Sequence, residues 1–157
     1  MKYVKFKFRP SNERKNLERM PGMGAYAGEF TKLIMSCQRE ELKDILEEIF
    51  FSVDRIGPEI SELNFRIEMA VREMLANAIE HGCESSQQHI EVTMLITLSC
   101  VKITVKDPGE GFCCKNIDLC DMPVMSEKGR GLAMINNAVD EIYYNDSGNE
   151  ITVLIKG

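Results

Sequence analysis

The sequence predicts an α/β (α+β) two-layer sandwich, with a mixed, mostly antiparallel sheet covered by helices on one face. Three observations lead there. Short stretches alternate apolar and polar residues as half-buried strands do, notably Val4–Arg9 and Val101–Lys106. Two longer stretches, 39–53 and the one around Glu73, repeat their apolar residues at helical spacing. The strands come in pairs around tight turns, which places neighbours antiparallel, and helices of one-sided polarity then cover a single face.

The bulk properties set the frame. The chain has 157 residues, enough for one domain with a substantial core. Hydrophobic residues make up 44% and charged residues 28%, ordinary values for a globular domain. A net charge of −6 argues against a nucleic-acid-binding surface, which needs basic side chains to neutralise phosphates. No apolar run reaches bilayer-spanning length, and the N-terminus alternates Lys with apolar residues instead of forming the apolar core of a signal peptide. A cytoplasmic location, with neither membrane nor direct nucleic-acid contact, is the expectation.

In order along the chain, Val4, Phe6 and Phe8 alternate with Lys5, Lys7 and Arg9 and suggest a short strand. Residues 10–28 are charged and then punctuated by Pro21, Gly22, Gly24 and Gly28, so 1–28 reads as a strand followed by an arm or loop extension. Phe30–Met35 is a strand, and Ser36 a turn or cap before a helix from about Arg39 to Val53. That helix carries Leu42, Ile45, Leu46, Ile49, Phe50 and Val53 on its apolar face and ends at Gly57-Pro58. The next helix starts near Ser61 and has Leu63, Ile67, Ala70, Val71, Met74, Leu75, Ala78 and Ile79 as its core stripe, with Gly82 as a closing cap. Ile90–Leu98 and Val101–Lys106 pair across a turn at Ser99-Cys100. Residues 113–128 have no firm periodicity. A last helix over Ala133–Val139 precedes strands at Ile142–Tyr144 and Ile151–Ile155, joined by the Asn145–Gly148 turn.

Three blocks carry chemistry. Glu73 and Asn77 lie four residues apart, one turn apart on a single helix face. Asn is a poor helix-interior residue. Its carboxamide oxygen can ligate a hard cation such as Mg²⁺, leaving the neighbouring carboxylate to orient or deprotonate a nucleophile. Asp107 ends a strand and opens Asp-Pro-Gly-Glu-Gly-Phe, where a carboxylate can accept from the exocyclic amine of adenine. Gly109 and Gly111 then permit a close approach to the ligand. Gly129 and Gly131 precede Leu132-Ala133-Met134-Ile135 as a glycine turn into a helix, where unpaired N–H groups face an anion beside Lys128 and Arg130. Taken singly, each block also reads as an ordinary polar stripe, turn or helix entry.

In this order and spacing the blocks resemble the GHKL superfamily of ATPases and kinases, the Bergerat ATP-binding fold, over roughly Glu29–Gly157. Glu73-x-x-x-Asn77 with Ala78, His81 and Gly82 is similar to that family's N box, the run from Asp107 to its first glycine box, and Gly129-Arg130-Gly131-Leu132 to its second. The compact size is most similar to the anti-sigma-factor serine/threonine kinases. The resemblance implies a histidine-kinase-like ATPase domain over 29–157 that uses ATP and Mg²⁺. It implies Mg²⁺ ligation by Asn77, a general-base role for Glu73, adenine recognition by Asp107, and nucleotide contacts from Gly109, Gly111, Lys128, Gly129, Arg130, Gly131 and Leu132. It further implies an anti-sigma-factor antagonist as phosphorylated partner, a sequestered sigma factor, and a homodimer. Two other readings stay open: a nucleotide-gated binding module without chemistry, and a detached catalytic domain that phosphorylates histidine. His81 is expected beside the site in a structural role.

The six cysteines form no C-x-x-C pair, and His81 and His89 do not complete a zinc site. Reduced, mostly buried thiols are expected. Cys113, Cys114 and Cys120 fall in 113–128, which the resemblance implies is a lid over ATP, where oxidation would bear on ATP binding.

Overall fold

A computed structural model describes residues 2–6, 29–111 and 127–157. The expected arm and lid, with Cys113, Cys114 and Cys120, lie outside the described residues.

Strand β1 (Lys2–Phe6) and strand β2 (Glu29–Ser36) come first, then a 3₁₀ turn (Arg39–Glu41) leading into helix α1 (Leu42–Asp54). A one-turn helix α2 (Pro58–Ser61) and helix α3 (Asn64–Asn77) follow, and α3 widens into a π-helical turn (Ala78–Gly82). Strands β3 (His89–Ile96) and β4 (Cys100–Lys106), helix α4 (Glu127–Ala138), and strands β5 (Glu141–Tyr144) and β6 (Glu150–Lys156) complete the chain.

The six strands form one sheet in the order β1-β2-β3-β4-β6-β5. Every described pairing is antiparallel, so the expected sheet is realised without a parallel pair among the described residues. Register follows side-chain burial, because a slip of one residue would turn each strand's apolar set outward. Leu33 and Met35 of β2, Ile90, Val92, Met94 and Ile96 of β3, Val101, Ile103 and Val105 of β4, and Val153 and Ile155 of β6 all point into the core. The opposite face carries polar cross-strand pairs such as Lys32 with Glu91 at 2.9 Å and Thr104 with Thr152 at 2.8 Å.

The helices fill the buried face as their spacing predicts. Ile45, Leu46, Ile49 and Val53 of α1 and Ile67, Ala70, Val71, Met74 and Leu75 of α3 are buried, while Leu42, Phe50 and Ile79 pack at the margin. Pro58 opens α2, where its missing N–H costs nothing. Arg66 ties the layers together: its guanidinium donates to Ala138 O at 2.9 Å, Lys156 O at 3.1 Å and Asp140 Oδ2 at 2.8 Å. Ser36 donates through both its backbone N–H and its hydroxyl to the Glu41 carboxylate, which holds that carboxyl below its ordinary range. No helix among the described residues is long and apolar enough to cross a membrane.

The cysteine expectation needs correction. Cys37 and Cys83 form a disulfide with Cα atoms 6.1 Å apart. Their separation of 46 residues hides the pairing from any local spacing rule. Antiparallel pairing of β2 with β3 brings the two ends together, and the Cys37 N–H donates to Gln88 O at 3.0 Å beside the start of β3. Cys100 is a free thiol.

Candidate functional site

A cavity of about 400 Å³ opens where the C-terminal end of α3 meets the end of β4, helix α4 and the β5–β6 hairpin. Met74, Asn77 and Ala78 come from α3, His81 and Gly82 from the π turn, and Val105, Asp107 and Gly111 from β4 and its loop. Leu132 of α4 and Tyr144, Gly148, Glu150 and Ile151 of the hairpin close the remaining side. The wall is largely apolar with two carboxylates, Asp107 and Glu150, and one imidazole, a lining that suits a flat heteroaromatic base with polar groups at its edge.

Beside the cavity, α3 packs against α4. A methyl group added to Gly131 would stand 2.8 Å from Glu73 Oε2 and 3.6 Å from Asn77 Oδ1. The helical spacing of Glu73 and Asn77 therefore does bring both side chains to one place, against the second glycine block. The Asn77 carboxamide oxygen suits a hard cation that takes its other ligands from phosphate and water, and the Glu73 carboxylate beside it stays available as a base. Among the described residues no cluster of three or more His, Cys, Asp or Glu could hold a metal. Helix α4 begins at Glu127, so Gly129 and Gly131 lie within its first turns and not in a loop ahead of it. Lys128 and Arg130 belong to the same helix, and their side chains lie outside the described residues.

Asp107 supplies a carboxylate to the cavity wall at the end of β4. Its Oδ1 accepts from the Gly109 N–H at 2.9 Å, and burial pushes its carboxyl above the ordinary value of 3.8, with the Gly109 bond opposing the shift. A half-buried carboxylate with one backbone donor retains acceptor capacity toward the cavity that it lines.

The glycines also serve packing within the protein itself. A Cβ on Gly109 would stand 2.8 Å from Gly82 O, and one on Gly111, at φ +79°, would stand 2.0 Å from Ser147 O. Both therefore allow close approach of the loop to the protein itself: Gly109 to the π turn, and Gly111, which also lines the cavity, to the β5–β6 turn. Gly82 follows the same rule. A Cβ there would stand 2.3 Å from Asp107 Cγ, and its φ is not positive, so it is a packing glycine and no left-handed cap.

His81, expected beside the site, is exposed and lines the cavity. Sequence reasoning missed the hairpin side altogether: Tyr144, Gly148, Glu150 and Ile151 belong to no motif, and only the topology that puts β6 beside β4 brings them here. The Asn145–Gly148 turn signal was visible, but nothing in it pointed to a binding wall.

No curated protein matches the chain. Residues 35–155 match the histidine kinase-like ATPase domain, a span that contains every residue lining the cavity. With that match over most of its length, and with Glu73, Asn77, Asp107 and Gly131 gathered at one site, the chain belongs to the histidine kinase-like ATPase domain family.

Proposed function

We propose that the chain is an ATP-dependent protein serine/threonine kinase of the anti-sigma-factor type, which phosphorylates a protein antagonist and sequesters a sigma factor. The family assignment supports ATP binding. The observation that carries the kinase reading is the convergence of the Glu73 carboxylate and the Asn77 carboxamide on Gly131, in a chain whose Asp107 lines the adjoining cavity. A binding-only domain has no need of a carboxylate held at that point.

Phosphoryl transfer depends chiefly on alignment and charge neutralisation. Asp107 accepts from the exocyclic amine and seats the base against the apolar wall. Asn77 Oδ1 would hold Mg²⁺, which would supply charge neutralisation at the phosphates. The backbone N–H groups near Gly129 and Gly131, with Lys128 and Arg130, hold the terminal oxygens. Glu73 accepts the proton of the attacking protein hydroxyl, a step that needs a base within hydrogen-bond reach and nothing more elaborate. A homodimer is part of the same reading, by resemblance.

The test uses γ-labelled ATP and candidate antagonist proteins. Glu73→Gln is expected to keep ATP affinity and lose transfer, whereas Asn77→Ala loses the Mg²⁺-dependent part of binding. An acid-stable label supports transfer to serine or threonine, and an acid-labile one would instead identify a histidine kinase. Undiminished transfer by Glu73→Gln would remove the assigned base.

A further inference from the structure

The β5–β6 turn grips the loop that carries Asp107. Asn149 O accepts from the Asp107 N–H at 3.0 Å, and Asn149 Nδ2 donates to Gly109 O at 3.0 Å. One residue thus bonds to both ends of the Asp107-Pro108-Gly109 step, whose own internal bond runs from the Gly109 N–H to Asp107 Oδ1 at 2.9 Å.

The orientation of the Asn149 amide is itself dictated. Three backbone N–H groups, of Gly148 at 2.7 Å, Asn149 at 3.1 Å and Glu150 at 3.2 Å, converge on Asn145 Oδ1. Only an oxygen can accept from three donors, so the Asn145 nitrogen must face the other way. It donates to Asn149 Oδ1 at 2.8 Å. That leaves the Asn149 nitrogen, and not its oxygen, for the Gly109 carbonyl. Gly111, pressed against Ser147 O and the Asn149 amide, holds the far end of the loop to the same turn.

We propose that Asn149, oriented by Asn145, is a positioning residue for base selection: it fixes the loop so that the free acceptor of Asp107 meets the exocyclic amine of the purine. This inference rests on the ATP site and on the adenine-reading role of Asp107 proposed above. Neither asparagine needs to touch the nucleotide. Their effect passes through the loop backbone, so it falls on discrimination at the purine edge and not on the phosphate end.

The probes are ATP and inosine triphosphate, which carries a carbonyl where adenine carries its amine and shares the sugar and phosphates. Affinities are measured calorimetrically for the full chain with Mg²⁺, alongside thermal unfolding. Wild type is expected to prefer ATP. Asn149→Asp, which sets an acceptor against the Gly109 carbonyl, is expected to lower the ATP-to-inosine-triphosphate affinity ratio about tenfold or more. Asn149→Ala, which deletes the donor without adding charge, and Asn145→Ala, which frees the amide to turn, lower the ratio less. Equal losses for both nucleotides in the folded variants, leaving the ratio unchanged, would overturn the proposal and make the turn a structural brace only. A wild type that binds ATP without preferring it would overturn instead the role of Asp107, and one that binds neither nucleotide would overturn the ATP site.

Discussion

Breaking the Cys37–Cys83 bond is expected to remove a large part of the domain's stability. The cross-link joins residues 46 apart, and closing a loop of that length in the unfolded chain lowers its conformational entropy. The chain-entropy relation puts the effect at about 4 kcal/mol at 25 °C. A single domain is usually stable by roughly 5–15 kcal/mol, so this is a substantial fraction of the whole. The assay is urea unfolding of the oxidised protein, the same protein with reductant, and Cys37→Ser. With a urea slope of about 2 kcal/mol/M, the midpoint should fall by about 2 M on reduction, and Cys37→Ser should match the reduced protein. The slope should also rise, because the uncrosslinked unfolded chain exposes more surface. Coincident curves with and without reductant, or alkylation of both thiols in unreduced folded protein, would refute the reasoning.

Asp107→Asn is expected to stabilise the nucleotide-free protein at neutral pH while weakening ATP binding about tenfold or more, the loss of a charge-assisted hydrogen bond. The sign follows from burial. A carboxyl raised above 3.8 in the fold contributes stability below its unfolded value and loses it as pH rises through the folded one, so the gain in melting temperature should shrink toward zero as pH falls below the ordinary carboxylate range. A lower melting temperature for the variant at neutral pH would contradict this. Asp140 behaves oppositely: the Lys156 N–H at 2.7 Å, aided by Arg66, holds its carboxyl low, so its stabilisation is present above 3.8 and lost as pH falls through the folded value. Asp140→Asn should therefore flatten the acid limb of the stability profile. Arg66→Ala, which deletes three part-exposed hydrogen bonds to α4, the loop after it and β6, should cost about 2 kcal/mol in denaturant unfolding. Gly111→Ala should destabilise by about 1–2 kcal/mol from its left-handed backbone alone, before any clash with Ser147, again read by unfolding.

Local periodicity was enough to read the layers and most elements. The stripe from Leu63 to Ala78 is buried as its spacing requires, and the alternation of Val101, Ile103 and Val105 places them all inward. The pairing of Glu73 with Asn77 was legible for the same reason, since a helix fixes i and i+4 together. What was not legible depends on contacts between distant parts of the chain. Nothing near Gly82 announces that Asp107 packs on it, and the close approach of Gly111 to Ser147 exists only because β6 lies beside β4. The start of α4 at Glu127 was missed because Gly129 and Gly131 are poor helix formers by themselves, and packing against α3 overrides that preference. The disulfide belongs to the same class, invisible until β2 and β3 are in register.

The most direct test of the ATP site is calorimetric titration of ATP into the wild type and Asn77→Ala, with and without Mg²⁺. The account predicts wild-type binding in the micromolar range, roughly −6 to −8 kcal/mol, that weakens without Mg²⁺ and in the variant. Absence of ATP binding by the folded wild type at any Mg²⁺ concentration would contradict it.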